Sequence, residues 1–340
     1  MVIKERKTVI GAVDLGYGWT KAKIEGEKAW RQPSVVGEPK RVYQADIRED
    51  DVRYHTLIRP EDADPCLQAK YFVGNLALMK STIKYAGVGK DKAKDFHTRV
   101  LLETALGAIA PDVSVNLVTG LPWDFYNTQK SDMEELLKNF NKGDIFGVQH
   151  GHAAPVQARP HIKNYKIVPQ HLGGLMNHIL DDQGNEREEG LLVKHNWLVI
   201  DPGRFTLGLL GMERGQIMKE SRSPDQGVEV AYDIIQEELR VQLGRTPDRF
   251  LLDSYVLSGE YDGIDLRPLR DYAFTAWASQ IQLEIESFNR NFKGYIIVGG
   301  WAGEIAPKLK TPKDKTYIYD QWANLEGYIK IGKRTWRENM

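Results

Sequence analysis

The sequence predicts an α/β protein of two related lobes, each a central sheet flanked by helices. Three observations predict it. Strand-like and helix-like segments succeed one another along all 340 residues, a length sufficient for two domains. A strand, an Asp-x-Gly turn and a returning strand occur twice, at Val9–Lys21 and again at Trp197–Gly208. A hydrophilic loop, Asp181 to Gly190, separates the two copies and is the predicted boundary.

The elements follow in order. Val9–Asp14 and Thr20–Ile24 form a hairpin around Gly16 and Gly18, with a third strand at Lys28–Arg31. Residues 33–70 are polar and Pro-punctuated and read as a peripheral subdomain or a long loop. A short strand and a helix start at Asn75 follow, then a helical pattern from Asp91 to Ala110 with Phe96, Val100 and Leu101 on one side. Val113–Val118 is a buried strand ending in a Thr-Gly turn, and Pro122 opens a polar helix to Phe140. Ile145–Val148 and Val156–Val168 alternate as strands, and Pro169 is placed at the N-terminus of a helix to Leu180. After the boundary come strands at Trp197–Ile200 and Thr206–Met212. A helix then carries the stripe Val228, Ala231, Ile235, Leu239, Leu243. A long helix bears Ala273, Trp277, Ile281, Ile285, Phe288 and Phe292, followed by the strand Tyr295–Val298 and a helix at Gln321–Ile331.

Composition bounds the function. Hydrophobic residues make up 41% and charged residues 27%, as in soluble globular proteins. The 46 basic and 47 acidic residues leave a net charge of −1, so no basic field points to direct nucleic-acid binding. A single cysteine, Cys66, excludes an intrachain disulfide and a Cys-based zinc site. With a charged N-terminus and no apolar run near ~20 residues, the expectation is a cytoplasmic protein without a membrane span. The histidines, His150, His152, His161, His171 and His178 among them, form no metal-ligand pattern, and no serine has a hydrolase context.

Four segments carry chemistry. In the first turn, Asp14 can orient a hydrated Mg²⁺ while the turn amides and Lys21 contact phosphates. In the second, Asp201-x-Gly203-x-x-Thr206 can face phosphates with its amides and hydroxyl. The glycines are expected to supply positive φ and close backbone approach. Gly299-Gly300-Trp301 ends a strand before a helix and lets a flat base approach. Gln170 can position a water for attack on a γ-phosphate. Each alone also fits a plainer role: a β-turn for the first two, packing for the glycine pair, a solvated helix start for Gln170. Neither turn is a P-loop.

The order of these signals, with "YFVGNLAL", "LVTGLPWDFY", "KIVPQHLGGLMNHILDDQG" and "WANLEGYIKIG", resembles the actin, sugar-kinase and heat-shock-chaperone ATPase superfamily. Within it, the chain is similar to the bacterial actin-like plasmid-segregation proteins of the ParM/StbA type. The resemblance implies an actin-like fold with a mixed sheet in each lobe and a nucleotide in the cleft between them. The implied lobes are residues 1–182 (with a peripheral subdomain at about 33–92) and 190–320, and a C-terminal helix in 321–340 packs back on the first. It implies ATP (GTP possible) and Mg²⁺ as cofactors, the metal held through water by Asp14 and Asp201. Asp14, Gly16, Tyr17, Gly18 and Lys21 match the first phosphate motif. Asp201, Gly203, Arg204 and Thr206 match the second. Gly299, Gly300 and Trp301 match the adenosine motif, Glu237 reaches ribose or base, and Gln170 orients the water. The implied activity is triphosphate hydrolysis coupled to polymerisation, with self-association into filaments and a ParR-like adaptor bound at a plasmid centromere. DNA contact is indirect and no membrane is involved.

The chain departs from that pattern. Gly208 stands where many relatives carry a second Asp; Pro202, Arg204 and Phe205 replace small residues and are expected to crowd the phosphate or alter its contacts; Trp301 is larger than usual and bears on base selectivity. The alternatives are a sugar-type kinase, which needs an acidic base and finds only Asp124 at a helix start, and a non-hydrolysing nucleotide-binding scaffold.

Overall fold

A computed structural model describes residues 7–57, 70–86, 91, 93–141 and 145–337. Cys66 and part of the polar stretch after residue 33 lie outside the described residues. The chain divides into two units: residues 1–187 with 324–340, and residues 188–323.

The first unit runs β1 (Thr8–Leu15), β2 (Trp19–Ile24), β3 (Trp30–Pro33), β4 (Val35–Gly37), β5 (Val52–Leu57), β6 (Lys70–Val73), α1 (Asn75–Lys80), β7 (Lys84–Ala86), α2 (Phe96–Ile109) and β8 (Ser114–Leu121). It continues α3 (Trp123–Phe140), β9 (Ile145–His150), β10 (Val156–Ala158), β11 (His161–Pro169) and α4 (Leu172–Ile179). The second unit holds α5 (Leu191–Lys194), β12 (Asn196–Pro202), β13 (Leu207–Glu213), β14 (Gln216–Ile217), α6 (Glu229–Leu243), α7 (Leu252–Ser258), β15 (Glu260–Tyr261), β16 (Ile264–Asp265) and α8 (Arg267–Glu286). It ends with β17 (Gly294–Val298), α9 (Ala302–Ile305) and β18 (Thr316–Tyr319), before α10 (Ala323–Trp336).

The two main sheets share one topology. In the first unit the order is β11-β8-β1-β2-β3, with β1 antiparallel to β2 and parallel to β8. In the second it is β18-β17-β12-β13-β14, with β12 antiparallel to β13 and parallel to β17. In each, a hairpin is followed by two parallel strands reached through helical crossovers. Both sheets are therefore mixed. All eight residues of β8 are buried, as expected for a parallel strand covered on both faces. A second sheet in the first unit, β10-β9-β5-β6-β4-β7, takes strands from the polar stretch after Pro33 and from residues 145–158.

Each unit has its own core. In the first, α2 buries Val100, Leu101, Leu102, Ala105 and Leu106 among Val115, Leu117 and Ile167. In the second, α6 contributes Val228 at its N-cap, then Ala231, Ile235 and Leu239, to a core shared with Ala273, Trp277 and Ile281 of α8. The fully buried Val, Leu and Ile side chains among these contribute about 1.5–3 kcal/mol each.

Three expected elements differ. Val156–Val168 splits into β10 and β11, which belong to different sheets, because Pro160 lacks a ladder N–H and Arg159 N–H turns to the Pro111 carbonyl (2.7 Å). Pro169 ends β11 rather than opening a helix. The N–H that continues the pairing is that of Gln170, to Leu121 (2.7 Å), so proline costs nothing there. The helix bearing Ala273 stops at Glu286; Asn289 has φ 45°, yet Phe288 and Phe292 still reach the core from the loop.

Candidate functional site

The first hairpin sets Asp14 directly opposite Lys21. Cross-strand neighbours on one face lie about 5 Å apart, and here Lys21 Nζ comes within 3.5 Å of Asp14 Oδ2. Asp14 is 1% exposed, so its charge is offset inside the unit rather than by bulk water. Gln170 Nε2 donates to the other carboxylate oxygen, Oδ1, at 2.9 Å across 156 residues of sequence. A carboxylate only accepts, so the amide orientation is fixed: N–H₂ toward Asp14, Oε1 left to accept from a water. Gln170 is thus a buttressed residue and not a solvated helix start.

The turn is held by side chains that sequence reasoning missed. Ser34 Oγ donates to the Gly16 carbonyl (2.6 Å), and Ser34 N–H donates to the Gly18 carbonyl (3.0 Å). Its hydroxyl hydrogen being spent, the 2.9 Å contact to Thr20 makes Thr20 Oγ1 the donor. Thr119 Oγ1 donates to the Val13 carbonyl (2.8 Å), bracing β1 one residue before Asp14. The sequence signal for these is slight: Ser34 follows Pro33 and Thr119 precedes Gly120. Gly16 does not use a left-handed φ; its missing Cβ is what matters, since one would lie 2.7 Å from the Trp19 carbonyl. Tyr17 and Gly18 complete the turn, half-buried.

The second hairpin repeats the register. Asp201 faces Gly208 across the strands, as Asp14 faces Lys21, so the cross-strand neighbour carries no charge. Gly203 also keeps an ordinary φ; its Cβ would lie 2.9 Å from the Thr206 carbonyl, which accepts the Gly203 N–H at 3.0 Å. Carbonyls hold this turn to the start of α6: Gly227, Val228 and Glu229 N–H groups donate to Phe205, Gly203 and Arg204. Gly227 is required, because a Cβ would sit 2.2 Å from the Arg204 oxygen. The Arg204 side chain is drawn into the second unit. Its guanidinium reaches Glu229 Oε1 (2.8 Å), Asp253 Oδ2 (3.3 Å) and the Arg249 carbonyl (3.0 Å), between Phe205 and Phe250. Arg249 also pairs with Glu229, and Tyr232 donates to Asp253. Burial, with Asp253 beside it, pushes the Tyr232 phenol above its ordinary range.

Gly299 does adopt a left-handed φ, 116°, and its Cβ would lie 3.2 Å from Asp201 Oδ1, so the glycine turn adjoins the second Asp-x-Gly turn. Gly300 and Gly303 are exposed, and a Cβ on either would meet nothing within 4 Å. Packing therefore does not explain these glycines. The Trp301 indole is withdrawn from any ligand: it is buried, edge to face with Phe274 at 5.0 Å, leaving only its backbone at the turn. Glu237 is exposed on α6 and pairs with Arg240. Asp124 lies in the first turn of α3. Among the described residues no group of His, Cys, Asp and Glu could cage a metal. A single carboxylate such as Asp14 or Asp201 is the kind of group that holds a Mg²⁺ which keeps most of its waters.

The family description "Actin like proteins N terminal domain" matches residues 12–173, the stretch from β1 to the Gln170 turn. A non-polymerisable quadruple mutant of pCBH ParM has 21% identity and a TM-score of 0.75, covering 96% of this chain and 100% of its own. A 15-stranded ParM filament from Clostridium botulinum has 20% identity and a TM-score of 0.75, covering 97% and 99%. An archaeal actin homologue has 19% identity and a TM-score of 0.75, covering 96% and 99%. Among proteins with curated descriptions, none matches. At these identities the shared property is the fold, and the chain has the actin-like fold that the ParM structures have.

Proposed function

We propose that this actin-like chain hydrolyses a nucleoside triphosphate and that its subunits assemble into filaments that move or position plasmid DNA. The observation that carries the reading is the Asp14–Lys21–Gln170 constellation at the end of β1 within an actin-like N-terminal domain. Lys21 and the amides of the first turn hold phosphate oxygens, and Thr206 and the amides of the second turn are the phosphate-binding groups of the second unit. The open turn at Gly299 and Gly300 receives the base, ATP or GTP. Asp14 and Asp201 are the carboxylates that would each serve a hydrated Mg²⁺, which would neutralise phosphate charge.

Gln170 Oε1 accepts a hydrogen bond from the attacking water and aims its lone pair at the γ-phosphorus. Lys21 and the turn amides stabilise the charge that develops on the equatorial oxygens. Loss of the γ-phosphate removes contacts made only to the triphosphate and shifts the protein to a state with weaker subunit contacts. Head-to-tail contacts that do not close produce a filament. The filament and the non-polymerisable mutant among the structural neighbours support this, as statements about those proteins. The net charge of −1 agrees with an adaptor, rather than this chain, contacting DNA. No helix among the described residues is long and apolar enough to cross a membrane, in keeping with a cytoplasmic role.

The test is sedimentation and light scattering of purified protein with Mg²⁺ and ATP, GTP or no nucleotide. Assembly with a triphosphate, decaying as phosphate is released, is expected. A protein that stays monodisperse across concentration and salt overturns the filament, and phosphate transfer to sugars would then replace hydrolysis.

A further inference from the structure

We propose that α10 positions Gln170, through Tyr328 with Asn324 and Gly327; the proposal rests on the hydrolytic role of Gln170 given above. These three residues sit at spacings of three and four and so share one helix face. Tyr328 is fully buried, and its hydroxyl donates to the Gln170 carbonyl at 3.0 Å. The ring reaches that carbonyl because residue 120 is glycine: a Cβ there would lie 2.0 Å from Tyr328 Oη and 2.8 Å from Gln170 Cα. Asn324 Oδ1 accepts the Gly174 N–H at 2.9 Å. Gly174 is in the first turn of α4, whose N-cap, His171, makes no side-chain capping bond, so α10 supplies the missing cap. Between these two contacts the backbones meet: a Cβ on Gly327 would be 1.8 Å from the Gly173 oxygen.

Gln170 is therefore fixed on every side. Its N–H is on Leu121, its carbonyl receives Tyr328 and the Gly173 N–H (3.2 Å), and its side chain is on Asp14. Neither Gly-Leu-Pro at residues 120–122 nor Ala-Asn-x-x-Gly-Tyr at 323–328 touches the Asp14 carboxylate in these contacts. Their joint effect is to hold the segment between β11 and α4 that aims the amide. A shift of that segment by a fraction of an ångström moves Oε1 while leaving Lys21 and both phosphate turns in place, so the consequence falls on turnover and not on nucleotide binding.

The experiment measures kcat and KM for phosphate release from Mg·ATP and Mg·GTP, with thermal midpoints, in the full chain. Tyr328→Phe is expected to lower kcat about tenfold at unchanged KM and to have no further effect in a Gln170→Ala background. Asn324→Asp keeps an acceptor for Gly174 and is expected to retain kcat, while Asn324→Leu lowers it; this pair carries the test if Tyr328→Phe does not fold. A Gln170-dependent rate that ignores Tyr328→Phe, or an equal loss with and without Gln170, overturns the clamp alone. A wild type without hydrolysis, or one indifferent to Gln170→Ala, overturns the reading of Gln170 and the clamp with it.

Discussion

The hairpins β1–β2 and β12–β13 are the same backbone solution given two chemistries. Each places an Asp at the end of its first strand, a Gly two residues on, and a cross-strand neighbour seven residues on. In the first hairpin that neighbour is Lys21, and the turn is braced by hydroxyls and by Gln170, so side chains face the site. In the second it is Gly208, the turn is latched to α6 through carbonyls, and the one cation in the turn, Arg204, points into the unit. The first hairpin is built to present charge and a directed amide, the second to present backbone. Two hairpins of one register can thus divide the labour.

The largest expected break in this comparison is Asp14→Ala. It removes the acceptor shared by Lys21 and Gln170, and triphosphate hydrolysis should fall by at least ~100-fold in a phosphate-release assay. Retained activity would take Asp14 out of the site. Arg204→Ala should act on the other hairpin in the opposite manner. It strips a cation from the buried Glu229 and should destabilise the second unit by about 3 kcal/mol in urea unfolding. Nucleotide affinity should change less than about threefold; a tenfold loss would mean that Arg204 reaches phosphate.

Gln170→Ala sharpens the first hairpin's role. Hydrolysis should slow by roughly 10- to 100-fold while nucleotide binding and assembly persist, read by phosphate release beside light scattering. Unchanged turnover would assign the water to another residue. The smallest effect is a pH dependence confined to the first unit. Burial, with Arg187 and Lys330 nearby, pushes the His178 imidazole down to about 4. Between pH 6.5 and 4 the unfolded chain binds a proton that the folded chain does not, so stability falls on acidification through that window. The loss should be about 1–2 kcal/mol after discounting for partial exposure. His178→Gln should reduce the slope without abolishing it, because burial also pushes the His97 and His150 imidazoles down, and an unaltered pH slope in that variant would sink the assignment.

Much of this was legible locally. The two hairpins announce themselves because Asp, Gly and alternating apolar residues act within a few positions. The apolar stripes of α6 and α8 follow from helical spacing alone. The signals failed where the deciding partner is remote. Nothing near Gln170 says that its amide meets Asp14. Nothing near Arg204 says that Glu229 and Asp253 draw it inward, and the sequence reading instead set it against phosphate. Trp301 beside two glycines suggested a base contact, whereas Phe274 holds it in the core. The positive φ expected of Gly16 and Gly203 was a local rule applied to the wrong constraint, since at both the limit is room for a carbonyl.

The sequence by itself determined the α/β class, the paired turns and the acidic, basic and amide groups from which a site could be drawn, because periodicity and turn chemistry are short-range. Only the tertiary structure decided which of those groups meet. Whether a charge faces a ligand or the core depends on partners brought in by other strands and helices, and no local pattern encodes their arrival.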